Sequence, residues 1–530
     1  MQGRADQQRG LGDILLWLEP AMRRELDASF YGALRRFGSD LLSGNLFAPM
    51  YAQGIGRPSV PPTTLAKVLL LEIHDGVSDR EAERRVKFDL QWRYALDIDI
   101  DAGVFDASTL SRFRARLLAN DQELAAFEQF VTAARDAGLL SRRQIMDATA
   151  VHGAGAVKDT YQLIRGAVRK LCKKARRVPG LTSQLTGALT RDDYDEVGKA
   201  DINWEDAAAR QELINQLVRD GRAAVATARE ALAGLSEERR PAEVVAAVDL
   251  LARVVEQDIE PDGDAGQVRI RQGVAKDRVI STTDPEMRHG HKTSSGRFDG
   301  AKVNVTMDET TELITDVGVL KGNASDSEAV MPALEREEQL QILPTELMGD
   351  HAYGIMGLRP LVAAKEIELT APLAAPSAPA GRFAKDDFHI DLDVPRCVCP
   401  HGVEAVAHYS RLPDGTRFLS GFTFRPQDCS ACPLKDRCTP AANRSIGIHA
   451  DEQQRMELRQ KQQTQAFRDR YRRRPLVERG IQQLAVHGIH QARYIGSRKL
   501  VLQAAFTALV VNIKRAAKSG ILPQVAAAAG

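Results

Sequence analysis

Five of the six cysteines in this 530-residue chain fall between Cys397 and Cys438. Six cysteines are far too few to staple a chain of this length, so Cys397-x-Cys399 and Cys429-x-x-Cys432-x5-Cys438 point to a local metal or redox cluster rather than a disulfide scaffold. If the two halves meet, they close a tetrahedral thiolate site of the kind Zn²⁺ favours; the alternative is unmetallated thiols in a reducing compartment. Cys172 lies apart, among lysines, and reads as small apolar filler. Three carboxylates form a second set: Asp147 inside the apolar run 144–151, Asp350 at the end of Glu346-Leu-Met-Gly-Asp350, and Glu478 just beyond a run of arginines. Singly, each reads as a solvated surface acid; their shared setting, at element ends and composition breaks, singles them out.

The elements that must position these groups are legible as patterns. From Ile14 to about Leu140 apolar residues recur every three to four positions, which predicts a helical module over residues 1–140. One helix starts after Pro61-Pro62, and a turn at 74–77 precedes Ser78-Asp-Arg-Glu81, which reads as a capping box. A later helix from Leu110 carries Arg112, Arg114 and Arg116, an order in which helix-turn-helix modules are built; the alternative reading is an ordinary all-helical domain. The run 144–151 predicts a strand opening a different fold. Residues 162–260 return to helical composition, a helical insertion whose segment Arg165–Arg177 has seven basic residues among thirteen. That run is equally suited to DNA and to the acidic stretch Asp192–Glu196. Residues 301–306 and 312–320 flank a polar turn as a β-hairpin, a helix follows from Asp326, and another strand ends at Asp350. The fold class is therefore multi-domain α+β or α/β. A linker at 373–382 opens the Cys-rich segment 373–452, helical patterning resumes over 453–516, and in the tail 517–530 the low-complexity stretch 525–530 is expected to be disordered.

Composition sets the outer limits. With 43% apolar residues the chain can bury a large core, and 72 Lys plus Arg against 71 Asp plus Glu exclude a histone-like polycation. The most apolar stretch, 502–513, is shorter than the roughly 18 residues of a membrane span and contains Gln503, Thr507 and Asn512. Met1–Gly10 does not read as a secretory leader, so a cytoplasmic location without membrane contact is expected.

Several segments together carry a family resemblance: 65–72 with 77–85, Asp106-Ala-Ser-Thr-Leu-Ser-Arg-Phe-Arg114, Asp147-Ala-Thr149, Ser281-Thr-Thr-Asp-Pro-Glu-Met-Arg288, Arg297-Phe-Asp-Gly-Ala-Lys302 and Gly349-Asp-His-Ala-Tyr-Gly354. To these, Tyr471-x2-Arg474-x3-Glu478 adds a spaced signature. The chain resembles the DDE transposases of bacterial insertion sequences, in the branch with a helical N-terminal module, a ribonuclease-H-like catalytic domain and a Cys-containing segment before the last acid. The resemblance runs from about residue 14 to 515, and departs at Ala485, where many relatives have Lys. It implies a catalytic domain of residues 141–372 and 453–516. Asp147, Asp350 and Glu478 would hold two Mg²⁺ or Mn²⁺ ions, with Asp147 shared, and Cys399, Cys429, Cys432 and Cys438 would be the zinc set. DNA contacts would come from Tyr471, Arg473, Arg474, Arg493 and Lys499, with Arg112 and Arg114 in the N-terminal module. The partners implied are terminal inverted repeats and target DNA, engaged by a homodimer.

The chemistry is coherent. Two hard divalent ions activate the attacking oxygen and stabilise the leaving one, and carboxylates, ionised at neutral pH, are their natural ligands. Arginine forks onto phosphate oxygens beside them. Two rival readings are a domesticated transposase that only binds DNA and a metal-dependent nuclease without strand transfer.

Overall fold

The computed structural model describes residues 2, 13–52, 58–263, 266–291, 296–376, 378–379 and 381–530. The leader reading at 1–10 lies, apart from Gln2, outside the described residues, as do two positions of the 373–382 linker.

The N-terminal module is helical. Its main helices are α1 (Phe30–Leu41), α2 (Pro62–Asp75), α3 (Asp79–Phe88), α4 (Ser108–Ala119) and α5 (Ala125–Asp136). Helix α2 begins with Pro at its first position and stops at Gly76, whose φ of 69° is the left-handed conformation that glycine adopts without steric cost. Ser78 caps α3 by accepting the Glu81 amide. The expected reciprocal bond is not made, because the Glu81 carboxylate turns to Arg84 and Arg85 instead.

A six-stranded mixed sheet carries the rest of the architecture. Its strands are β1 (Arg143–His152), β2 (Arg288–His291), β3 (Arg297–Asp308), β4 (Ile314–Lys321), β5 (Glu346–Met348) and β6 (Glu368–Thr370). β1 is central: β3 runs antiparallel on one side, with β2 and β4 paired to the far edge of β3, while β5 and β6 run parallel on the other side. A central strand covered on both faces needs apolar side chains on both, which is why 144–151 reads as a nearly continuous apolar run. The polar turn of the β3–β4 hairpin is held by Asp308, whose buried carboxylate accepts the amides of Thr310 and Thr311 and the Ser141 amide and hydroxyl.

The helical insertion leaves the sheet between β1 and β2. Helices α6 (Thr160–Ala175), α7 (Ala207–Ala233) and α8 (Ala242–Gln257) enclose a separate apolar core that includes Leu163, Leu217 and Leu251. Part of the basic run is consumed here: Arg165 pairs with Asp193, Arg169 donates to the Tyr194 carbonyl, and Lys174 and Arg177 flank Glu243. After the Cys-rich segment come α9 (Gln465–Tyr471), α10 (Leu476–Val486), α11 (Ser497–Lys518) and α12 (Leu522–Ala529).

Among the described helices, α11 alone is long and apolar enough to cross a membrane by length and composition, yet 78% of its apolar window is buried inside the protein. Its polar residues are engaged. Asn512 clasps the backbone of Ile314 through both side-chain atoms, Gln503 bridges Gln491 and Arg493, and Thr507 bonds back to Gln503. The expected disorder of the 525–530 stretch is overturned: all but its last residue belongs to α12, which buries Leu522, Val525 and Ala526 in the core shared with α1 and α5.

Candidate active site

Asp147 lies midway along β1, and its neighbour β5 runs parallel with Ile145 level with Met348. Two residues further on, Asp147 and Asp350 therefore emerge side by side. Asp350 sits in a tight turn after β5, its carboxylate accepting the Ala352 amide at 2.8 Å. Glycines make that turn possible: a Cβ on Gly349 would lie 2.8 Å from the Tyr353 ring, and one on Gly354 would lie 2.0 Å from the Pro372 carbonyl oxygen. Tyr353 is buried beneath, donating to Asn304 at 2.9 Å, and its burial pushes the phenol far above its ordinary pKa.

The third acid arrives by packing. Val477, on the first turn of α10, is fully buried against Ile145, Met307 and Met348, an apolar floor that seats the helix over the strand ends. Burying such a side chain is worth about 1.5–3 kcal/mol. The next residue, Glu478, is thereby aimed across the opening. Asp147, Asp350 and Glu478 line one cavity of about 420 Å³, together with Thr149, His291, Lys302, Asp326, Arg474, Gln482 and His490.

Arg474 stands in the middle. Its Nη2 lies 2.7 Å from Asp147 and 3.8 Å from Asp350, and its Nη1 pairs with Glu478. Pro475 begins the turn into α10, and Arg474 reaches over it to Glu478, four residues on. Among the described residues no group of three or more His, Cys, Asp or Glu is set as a ready-made metal cage. The donor set nevertheless suits hard divalent ions, since three carboxylates already share one cation at their centre.

The segment bearing Arg474 is clamped to the sheet. The Arg470 Nε–H is shared between both Glu346 carboxylate oxygens, at 2.8 and 2.9 Å, while its Nη2 reaches Glu309, which also takes Arg473 at 3.0 Å. Burial pushes the Glu309 carboxyl up, but the two arginines more than offset this and leave it below the usual range. Tyr471 stacks on Phe467, with ring centroids 5.6 Å apart, and its phenol is raised by burial.

The remaining expected DNA contacts divide. Arg112 and Lys499 are exposed, and Arg112 bonds to Thr109 on its own helix. Arg114 and Arg493 are instead turned into the protein, a departure from the expectation that they face DNA. Arg114 pairs with Asp79 and lies 3.6 Å from Glu72, while Arg493 is 3.0 Å from Glu72 and also donates to the Val77 carbonyl. The cause is Glu72, only 1% exposed, which draws both guanidinium groups inward to compensate its burial. Arg114 also lies over the Tyr494 ring, 4.9 Å from its centroid. The knot thereby ties α2, α3 and α4 to the loop before α11.

Several cavity-lining residues were not singled out from the sequence. Thr149, 3.1 Å from the His490 ring, had a signal, since it lies two positions from Asp147 on a strand and so on the same face. Lys302, paired with Asp326 at 2.7 Å, belonged to a quoted segment but carried no role. Gln482 and His291 had none.

The Cys-rich segment folds around Phe388, Phe422, Phe424 and Ile446. Cys399, Cys429, Cys432 and Cys438 line one small cavity of about 30 Å³. Cys397 points into the apolar cluster, fully buried, and its thiol is pushed up to about 11. Burial, chiefly, also raises the Cys438 thiol, and the other three cysteines of the set add to it.

Two family models match parts of the chain. The transposase DDE domain matches residues 398–517, a span containing Arg474 and Glu478, and a transposase domain matches residues 29–116 in the helical module. No curated protein and no solved structure matches the chain. The two family matches support a DDE transposase of the insertion-sequence type. Neither match includes Asp147 or Asp350, which enter on geometry.

Proposed function

We propose that this chain binds the terminal inverted repeats of its own element, cleaves phosphodiester bonds at the ends and joins the freed 3′-hydroxyls to target DNA. The observation that carries the reading is the convergence of Asp147, Asp350 and Glu478, from three distant parts of the sequence, on one cavity. An acid midway along the central strand and another just past the end of the parallel strand beside it, in a mixed sheet, support a ribonuclease-H-like domain of residues 141–372 and 453–516, interrupted by the helical and Cys-rich insertions. Asp147 would be shared by two Mg²⁺ or Mn²⁺ ions, with Asp350 on one and Glu478 on the other. Bound there, the ions supply Lewis-acid stabilisation of the attacking and leaving oxygens.

The chain's own residues do the rest. Val477 and the strand register fix the acids, and the Arg470–Glu309–Glu346 clamp holds the arginine-bearing turn at the rim where a phosphate backbone would pass. Arg112 and Lys499 remain on the surface for duplex contacts, whose strength falls with salt. The four-cysteine cavity suits a structural Zn²⁺ by its soft donors.

The deciding experiment incubates purified protein and Mn²⁺ with labelled terminal repeats and a target plasmid. Cut ends that join the plasmid are expected, with Asp350→Asn binding the repeats but not cutting them. Ends cut but never joined would favour a nuclease. No cutting by the unmodified chain, with equal binding by both proteins, would leave a DNA-binding protein.

A further inference from the structure

The cavity's central cation belongs to the protein itself. Arg474 contributes one guanidinium to three carboxylates, and its Nη2, 2.7 Å from Asp147 and 3.8 Å from Asp350, stands where an ion shared by those acids would have to sit. Mg²⁺ binds carboxylate oxygens at about 2.0–2.1 Å, so guanidinium and ion exclude one another. Resting on the reading of these acids as the cation-binding set, we propose that Arg474 is an internal counter-ion: it keeps the pocket closed to divalent metal until a DNA phosphate draws it away, so that metal loading follows DNA binding.

Three observations support the exchange. Among the described residues the buried Arg474 Nε–H meets no acceptor, so the inward pose leaves part of the donor set unused. A phosphate, with its several acceptor oxygens, would engage that set fully. The backbone on either side is anchored, by Arg470 and Arg473 on Glu309 and Glu346 before it and by Val477 in the apolar floor after it. Only the side chain needs to swing, and the acids keep their places when it leaves. Phosphate contacts are independent of sequence, so any duplex reaching the rim would release the pocket.

The test is direct titration of the full chain with Mn²⁺, followed by the spin signal of the free ion, which requires no turnover. Without DNA, Arg474→Gln is expected to bind Mn²⁺ about tenfold or more tightly than the unmodified chain, since a positive charge a few ångströms from the site is removed. Arg474→Lys, retaining the charge, should stay near the unmodified value. A mixed-sequence duplex should tighten Mn²⁺ binding about tenfold in the unmodified chain and by less than twofold in Arg474→Gln. Equal affinities of the unmodified chain and Arg474→Gln, with both melting cooperatively, would overturn the counter-ion role. So would equal tightening of both by DNA. The double variant Asp147→Asn, Arg474→Gln separates the two levels. If it loses Mn²⁺ binding, the acids are the cation site whatever Arg474 does; if it binds as Arg474→Gln does, the reading of the acids itself fails.

Discussion

Asp147 on β1 and Asp350 in the turn just past the parallel β5 stand side by side because Ile145 pairs with Met348 two residues earlier. The strand pairing therefore works as a ruler for the two carboxylates. Lengthening either acid by one methylene keeps the charge and moves the oxygens by more than an ångström. Asp147→Glu and Asp350→Glu are expected to cut DNA-end cleavage roughly a hundredfold, the scale of an ångström's misplacement. Melting temperatures should stay close to that of the unmodified chain. A gel assay of labelled ends reads the first, thermal unfolding the second.

Arg470 touches none of the three acids, yet it ties α9 to the sheet beside the start of β1, through Glu346 at the head of β5 and Glu309 just past β3. Arg470→Ala leaves two half-buried carboxylates without their shared cation and is expected to cost about 1–3 kcal/mol in urea unfolding. Arg470→Lys should recover only part of this, because one ammonium does not reproduce the guanidinium's simultaneous reach from Nε to Glu346 and from Nη2 to Glu309. An Arg470→Ala protein as stable as the unmodified chain would remove the clamp from the account.

The knot around Glu72 gives the chain a pH signature. Burial first, and the hydrogen bond with Asp79 second, raise the Glu72 carboxyl from 4.5 to about 8. Between those two values the folded chain holds a proton that the unfolded chain has released, so this residue's contribution to stability declines as pH rises through that window. Glu72→Gln does not ionise. Its stability relative to the unmodified chain should improve steadily from pH 5 to pH 8, measured by denaturant midpoints at each pH.

The cysteines separate by environment. In protein stripped by a strong chelator, Cys399, Cys429, Cys432 and Cys438 are expected to react with a thiol reagent at pH 8 well before Cys397, which is fully buried with its thiol raised to about 11. Adding one equivalent of Zn²⁺ should protect those four and raise the melting temperature. Peptide mapping of the labelled sites checks the order; a Cys397 labelled as fast as the others would contradict its burial.

What the sequence revealed follows from how local each signal was. The β1 strand, the hairpin and the turn at Asp350 were readable because apolar patterning and turn chemistry are written within a dozen residues. The inward turn of Arg114 and Arg493 was not, since it depends on Glu72, which is far from Arg493 in sequence and becomes costly only once buried. Arg470 was one of eight basic residues between Gln453 and Arg474, and nothing local marked it apart from Arg468 or Arg472. The last helix was misread for a simpler reason: an alanine-rich run looks featureless by composition, but alanine is the strongest helix former, and Leu522 and Val525 gave it a face to bury. The capping expectation at Ser78 was half fulfilled because Glu81 had arginines within reach.

Helix α12 lies near the end of the chain, yet it completes the hydrophobic core of the first module, packing on α1 and α5. The core of the first module therefore closes only when a segment from the far side of the catalytic and Cys-rich regions docks on it, a long-range contact whose ordering cost is met late in folding. Removing residues 522–529 would uncover the apolar faces of α1 and α5, so that a change at one extreme of the sequence would loosen the module at the other.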